Sequence, residues 1–415
     1  MSLFDDPSWH RNLTFALTAG IATLGLAAVF KTLITPLPSK RSIPSPTTTL
    51  LPHLTNTEID ALPYPPHALP GGRDLSTPYG SMRVYEFGPT SGRKVLLIHG
   101  ITTPCISLRD IARGLARAGC RVTLFDLWGR GYSSTPLLPH DIRLYTTQIL
   151  FALTASSTAP PPSERPNRHL IIGYSLGGAI AASFAARCPH LVSGLVLLAP
   201  GGLIRKKHFD RSSRFLYSSG LIPERLVQYF VLRRMRKGAP NISTPVTAET
   251  AEIPTTDESW SGNEKASRDA GPVDVPATMK WQVAHHEGFL YAFISSIRHA
   301  PITGYEADWR EIGERLNRVR VRRGDEYDDE AEERDEQGLV GDKVLIILGE
   351  NDTIIVRDEV MEDATAALGR ANVHIEVLEG AGHEFPITRS EDVVDLVTEF
   401  WGLEEGSGSG PSGLM

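Results

Sequence analysis

Ser175 stands in the stretch Gly173-Tyr174-Ser175-Leu176-Gly177-Gly178, directly after the short apolar run His169-Leu-Ile-Ile. A serine hydroxyl is a weak nucleophile until a base takes its proton and a third group orients the base. Two later segments supply such groups. Leu348-Gly-Glu-Asn-Asp352 puts a carboxylate after one apolar run, and Glu379-Gly-Ala-Gly-His383 puts an imidazole after the next. Glu350, closer to the end of its run, is the rival acid. Together these residue types perform acyl transfer: Ser175 attacks, His383 moves the proton, and Asp352 orients the imidazole.

The glycines around Ser175 have a steric purpose. A strand that runs through Gly-x-Ser-x-Gly into a helix turns so sharply that flanking side chains would clash. The segment after it, Ala179-Ile-Ala-Ala-Ser-Phe-Ala-Ala-Arg, is rich in small helix formers that let a helix pack close to a sheet. Such an elbow exposes the Ser175 hydroxyl at the carboxyl edge of the sheet. It also leaves the Leu176 N–H free to donate to an oxyanion. An ordinary glycine-flanked turn is the plain alternative, and the β-branched run before the serine favours the elbow.

These groups need a frame. Met82-Arg-Val-Tyr-Glu-Phe alternates with period two, and four further runs read as buried strands. They are Lys94-Val-Leu-Leu-Ile-His-Gly, Arg121-Val-Thr-Leu-Phe-Asp, His169-Leu-Ile-Ile and Gly194-Leu-Val-Leu-Leu-Ala-Pro. Helical patterns over Ile106–Ala118 and Tyr145–Ala155 separate them. The alternation predicts an α/β fold: a mostly parallel sheet with helices on both faces. From Gly201 to Asp342 helical segments take over, Glu224–Arg236 and Met279–His299 being the clearest. Pro240–Pro276 and Arg318–Gly338 are polar or highly charged and read as solvated loops. Strands return with Val344-Leu-Ile-Ile-Leu-Gly and Val373-His-Ile-Glu-Val-Leu. A core of residues 71–200 and 343–403, interrupted by a helical cap at 201–342, accounts for this order. Ser175, Asp352 and His383 then share one sheet edge, where sites of open α/β sheets form.

In their order, these motifs resemble the α/β-hydrolase-fold serine hydrolases of the lid-bearing type. Within them, the chain is most similar to the monoacylglycerol lipase and membrane-anchored acylglycerol hydrolase group. The resemblance covers roughly residues 80–200 and 343–400. It rests on His99-Gly100-Ile101-Thr102, Phe125-Asp126-Leu-Trp-Gly129-Arg130-Gly131-Tyr-Ser133, Gly173 to Gly178, Gly349-Glu-Asn-Asp352 and Gly382-His383. It implies that the N–H of Ile101 joins that of Leu176 in an oxyanion hole, with Thr102 or another loop amide as the alternative. His99 is then structural, and Asp126 and Arg130 fix loops. A serine nucleophile disfavours the dehalogenases and epoxide hydrolases of the same fold, which use a carboxylate there. Hydrolysis of a carboxylic ester through an acyl-serine is the implied reaction, with a thioester or amide as further options. No metal and no organic cofactor is implied.

The remaining features bound the setting. The chain has 415 residues and a net charge of −7, without a basic stripe, so no nucleic-acid partner is expected. Cys105, Cys120 and Cys188 lack paired spacing, which speaks against a disulfide framework or a zinc site and for buried thiols. After a tail of residues 1–12, the uncharged run Leu13–Phe30 continues past Lys31 to Pro36. It predicts a single membrane anchor over 13–35. The thin positive leader and the lack of a small-residue cleavage site argue against a cleaved signal peptide. Lys31, Lys40 and Arg41 place the bulk of the chain on the cytosolic side. The sequons Asn12-Leu-Thr and Asn241-Ile-Ser would carry glycan only on the other side. Residues 36–70 read as a Pro-rich extended linker, and residues 404–415 as a flexible tail.

The insertion carries apolar stripes at Arg214-Phe-Leu-Tyr, Leu226-Val-Gln-Tyr-Phe-Val-Leu and Gly288-Phe-Leu-Tyr-Ala-Phe-Ile. They line an acyl tunnel or pack the cap onto the core. His285 and His286 lie in the same insertion and read as surface residues. The anchor favours a lipid-like ester such as a monoacylglycerol. The alternatives are an esterase, thioesterase or peptidase-like hydrolase on a non-lipid metabolite and, in another class, a catalytically silent binding module.

Overall fold

The computed structural model describes residues 7–34, 41–156, 168–208, 223–237, 273–324 and 338–403. It divides into two units, Met1–Arg41 and Ser42–Met415. The first contains α1 (Pro7–Ile34), whose side chains are described from Thr14 to Ala27. Phe15, Leu17, Ile21, Leu24 and Leu26 are all exposed on it. The Thr18 and Thr23 hydroxyls donate back to carbonyls of their own helix, Thr14 and Ala19. Among the described residues no helix is long and apolar enough to cross a membrane, so the spanning anchor expected over 13–35 is not supported.

In the second unit, residues 42–70 pack onto the core instead of forming the expected extended linker. β1 (Ser42–Ile43) pairs with a later strand, and two short helices follow, α2 (Pro46–Thr49) and α3 (Asn56–Asp60). A capping box starts α3: Thr55 Oγ1 accepts from Glu58 N, and Glu58 Oε2 accepts from Thr55 N. Tyr64, just beyond, is fully buried, and that aromatic anchor is what turns a Pro-rich stretch into a strap.

The main sheet has eight strands: β2 (Arg73–Thr77), β3 (Gly80–Phe87), β4 (Lys94–Ile98), β5 (Arg121–Phe125), β7 (His169–Tyr174), β8 (Val192–Leu198), β9 (Val344–Gly349) and β10 (Val373–Leu378). Their spatial order is β10-β9-β8-β7-β4-β5-β3-β2. The six from β10 to β5 are parallel, and β3 and β2 are antiparallel additions. Every residue of β7 and β9 is buried, as expected of central strands covered on both faces. β6 (Thr135–Pro136) is the partner of β1.

The helices α4 (Arg109–Arg117), α5 (Ile142–Thr154) and α6 (Leu176–Arg187) belong to the core, and α6 packs on β7 and β8. The insertion holds α7 (Glu224–Lys237), α8 (Val275–His285) and α9 (Phe289–His299). The single helix expected over Met279–His299 is broken at His286–Gly288. A methyl group on Gly288 would lie 2.0 Å from Thr135 Oγ1, so the backbone must pass there without a side chain. The next helix, α10 (Glu306–Gly324), packs against α6 and against α11 (Arg357–Leu368). Its Asp308 accepts from Ser183 Oγ of α6 at 2.6 Å, and its Arg315 donates to the Ala185 carbonyl. It covers the core and is not part of the cap, which moves the expected boundary. Arg318–Gly324, expected in a loop, is its last part. The short helix α12 (Phe385–Thr388) and α13 (Ser390–Trp401), which packs on α4, complete the unit. The stripe at Arg214, the sequon at Asn241, most of the Pro240–Pro276 loop, residues 325–337 and the tail lie outside the described residues.

After β4 the chain passes to β5 on one side and later returns to β7 on the other. Strand order therefore reverses between β4 and β7, and the crevice beyond their carboxyl ends is where such sheets place ligands.

Candidate active site

Ser175 occupies the turn between β7 and α6 with φ 53° and ψ −117°. A non-glycine residue there stores about 1–3 kcal/mol of strain, which the surroundings must hold. They do so through backbone hydrogen bonds: Ser175 N donates to Leu198 O (2.9 Å), and Ser175 O accepts from Gly178 N and Gly201 N. The flanking glycines are sterically required. A methyl on Gly173 would sit 2.3 Å from the Gly177 carbonyl oxygen, and one on Gly177 would sit 2.1 Å from that of Ile98. Leu176 is the first residue of α6, so its N–H belongs to the helix start, where backbone donors have no intrahelical acceptor.

The loops after β9 and β10 bring Asp352 and His383 to this turn. His383 Nε2 lies 3.1 Å from Ser175 Oγ, and His383 Nδ1 lies 2.7 Å from Asp352 Oδ2. The other carboxylate oxygen, Asp352 Oδ1, accepts from the N–H groups of Ile354 and Ile355, both at 2.8 Å. The carboxylate thus fixes the proton of His383 on Nδ1 and leaves Nε2 to accept from the serine hydroxyl. Tyr174 OH donates to the His383 carbonyl at 3.2 Å, and its ring lies 5.3 Å from the imidazole. All three residues are buried. Glu350 is not part of the group: its Oε2 accepts from Gly380 N at 2.8 Å and ties the two loops together.

The loop after β4 runs beside the elbow because Ile98 of β4 pairs with Gly173 of β7. Gly100 lies so close that a methyl there would touch Ser175 Cβ at 3.4 Å. Ile101, the expected second donor, is buried in this loop. His99 Nε2 accepts from Leu127 N at 2.8 Å, so its proton is on Nδ1, which meets the Gly100 carbonyl at 2.8 Å. Burial pushes the His99 pKa down to about 3, which keeps the ring neutral. Arg130 is fully buried and donates from Nε to Ile101 O, from Nη1 to Trp128 O and from Nη2 to Ser296 Oγ of α9. Asp126, also buried, accepts from Cys105 N, Tyr132 N and Tyr64 OH, and burial raises its carboxyl pKa. His99, Asp126 and Arg130 all act on loops.

Three participants have no sequence signal. Gln282 of α8 bridges Thr102 O and Gly131 N, at 2.7 Å each. Ser296 of α9 and Tyr64 of the strap reach the same loops. His286 was expected at the surface; it is buried, its Nε2 meeting Ser133 O and its Nδ1 accepting from Gly288 N. His285 is exposed. Cys105 and Cys120 are buried, Cys188 is half-buried, and all three are free thiols. Among the described residues no cluster of His, Cys, Asp or Glu is arranged to hold a metal.

Against known proteins, the model of the alpha/beta hydrolase family matches residues 95–396. An uncharacterized protein of Mycobacterium tuberculosis is 30% identical over 131 residues, which is 31% of this chain and 35% of that protein. A serine hydrolase-like protein of Dictyostelium discoideum is 31% identical over 122 residues, 29% of this chain and 32% of its own length. The chain thus spans about a third of the length of these curated relatives. A bacterial membrane phospholipase A has a similar structure, with a TM-score of 0.50 and 17% identity, covering 95% of this chain and 97% of its own. A carboxylesterase of Bacillus subtilis has a TM-score of 0.50 and 16% identity, covering 79% and 90%. At these identities the structural likenesses speak for the fold.

Proposed function

The chain belongs to the alpha/beta hydrolase family, and within it we propose a serine hydrolase that cleaves a carboxylic ester through an acyl-serine intermediate. The observation that carries this reading is the continuous contact from Ser175 Oγ to His383 Nε2 and from His383 Nδ1 to Asp352 Oδ2. Ser175 Oγ attacks the ester carbonyl carbon while its proton passes to His383 Nε2. Asp352 stabilises the resulting imidazolium without taking the proton. The carbonyl oxygen becomes an oxyanion facing the N–H groups of Leu176 and Ile101. Collapse expels the alcohol, which takes the proton back from His383. Water then repeats the sequence, releasing the carboxylic acid and restoring Ser175.

The substrate we propose is a lipid-like acyl ester of the monoacylglycerol kind. Support comes from α1, whose exposed apolar side chains and self-satisfied threonines suit an apolar surface. On this reading α1 holds the protein at a membrane. Deletion of residues 1–41 should then move the protein out of the membrane fraction, and retention there would remove the argument from α1.

A fluorophosphonate probe tests the chemistry. It should label the wild type and not Ser175→Ala, and failure to label a folded wild type would favour a catalytically silent binding module. Turnover of p-nitrophenyl esters of graded chain length tests the substrate. A rise with chain length is expected, and a flat or acetate-only profile points to a non-lipid ester.

A further inference from the structure

Three consecutive peptide units after β4 are each held by their carbonyl oxygen. His99 Nδ1 holds Gly100 O at 2.8 Å, Arg130 Nε holds Ile101 O at 2.9 Å, and Gln282 Nε2 holds Thr102 O at 2.7 Å. A peptide unit is planar and trans, so fixing one carbonyl fixes the direction of the next residue's N–H on the opposite side. His99 therefore aims the Ile101 N–H, Arg130 the Thr102 N–H, and Gln282 the Thr103 N–H. The first two holders come from the core. The third comes from helix α8 of the cap.

We infer that Gln282 is a positioning residue for the oxyanion hole, and that it makes the geometry of the hole depend on the docked cap. The inference rests on the serine hydrolase reading. The amide orientation is set by its two partners: Gly131 N–H requires an acceptor at Oε1, and Thr102 O requires a donor at Nε2. Turning the amide over would place oxygen against oxygen and N–H against N–H. Gln282 is fully buried, so no water can replace either bond cheaply. A second tie from the cap reinforces the first. Ser296 of α9 accepts from Arg130 Nη2 at 2.9 Å and meets Tyr145 OH at 2.8 Å. Through Arg130 it reaches the Ile101 carbonyl. The cap thus grips two neighbouring peptide units of the loop that faces Ser175, once directly and once through Arg130. Without Gln282, the Thr102–Thr103 unit can rotate and, through the Ile101–Thr102 unit beside it, loosen the Ile101 N–H that faces the developing oxyanion.

The test uses Gln282→Met, which keeps length and loses both hydrogen bonds. Gln282→Glu accompanies it, because it keeps the acceptor for Gly131 N–H and loses only the donor to Thr102 O. Hydrogen exchange of the peptide containing residues 99–105 is read on folded protein and does not depend on activity. Faster exchange in both variants is expected; unchanged exchange in either overturns the inference even if the wild type proves inactive. Turnover is read on p-nitrophenyl acetate and octanoate. A loss of about 10- to 100-fold in kcat, equal for both esters and with an unchanged midpoint of the pH–rate profile, is expected, somewhat below the loss of a whole oxyanion donor. A loss that grows with chain length, or resides in KM, would make Gln282 a cap residue for substrate binding and overturn the assignment. If Gln282→Met fails to fold, the Gln282→Glu exchange and turnover decide alone. A wild type that hydrolyses neither ester and reacts with no fluorophosphonate refutes the hydrolase reading, while the exchange result still decides the contact.

Discussion

The edge formed by β7, β9 and β10 and the loop after β4 face each other across Ser175, yet they are built differently. On the first side, each group proposed to react follows the end of its own strand, and its partners lie near it or at the ends of neighbouring strands. Asp352 is held by N–H groups of Ile354 and Ile355, Glu350 by Gly380, and His383 by Asp352 and by Tyr174, the neighbour of Ser175. On the second side, the carbonyls of Ile101 and Thr102 are held by Arg130, itself tied to Ser296 of the cap, and by Gln282 of the cap helix α8. The groups proposed to make and break bonds are set by strand ends. The loop that carries the Ile101 N–H is held in addition by side chains of the cap. Damage to the first side should abolish chemistry and spare the fold, whereas damage to the second should harm both.

The sharpest test of the first half is Asp352→Asn beside Glu350→Gln. An amide in place of the Asp352 carboxylate would favour the wrong tautomer of His383, and kcat should fall about 10⁴-fold with little change in Tm. Glu350→Gln only weakens a loop tie, and its kcat should stay within about ten-fold of wild type. Equal losses in the two variants would mean that the acid has been assigned to the wrong carboxyl group. The test of the second half is Arg130→Met. It leaves Ile101 O, Trp128 O and Ser296 Oγ without this donor in a buried site. It should cost about 3 kcal/mol or more in stability and about 10²-fold in kcat. A loss in kcat without a fall in unfolding free energy, measured by urea denaturation, would break the contrast.

This difference also explains what the sequence reveals. Ser175, Asp352 and His383 are legible because each directly follows an apolar strand run, and the glycines around Ser175 record a steric need. The parallel core is legible from the same runs. Gln282 is not: it sits mid-helix with no motif, and its value depends on α8 lying over Thr102. Tyr64 is hidden in the same way, in a stretch whose prolines suggest an extended chain. His286 reads as polar surface until the break at Gly288 turns it inward to Ser133. Periodicity reports which face of a helix is apolar; it does not report which distant carbonyl a polar residue on that face will meet.

Acid should expose the tertiary side before the edge. Burial lowers the pKa values of His99 and of His140, whose buried backbone N–H donates to Ser295 Oγ of α9, to about 3 and that of His286 to about 4, from an ordinary 6.5. The unfolded chain therefore binds protons at these sites between pH 6.5 and the folded values, and the folded protein does not. Stability is complete above pH 6.5 and falls as pH drops through that window, by up to about 1.4 kcal/mol per pH unit for each histidine. Tm measured from pH 7.5 to 4.5 should decline steadily below 6.5. The decline should be shallower in His286→Asn, after allowing for its lower starting stability. A flat profile would mean that these rings are hydrated and that the cap is not closed down on Ser133.

The smallest effect is expected where the strap meets the core. Tyr64 OH donates to Asp126 Oδ2 at 3.1 Å, and Asp126 also accepts from Cys105 N at the far end of the oxyanion loop. Removing the hydroxyl in Tyr64→Phe leaves the ring packed and leaves Asp126 with its two backbone donors, Cys105 and Tyr132. The cost should be about 1.5–3 kcal/mol, the usual worth of one hydrogen bond to a charged group. Activity should change by less than about three-fold, because the backbone contact that reaches the loop survives. Asp126→Asn supplies the contrast, since it weakens all three contacts at once and should lower both Tm and kcat. If Tyr64→Phe alone cost as much kcat as Arg130→Met, the strap would belong with Gln282 and Arg130 among the parts that shape the loop. The boundary between holding the fold and holding the oxyanion would then move outward to residues 42–70.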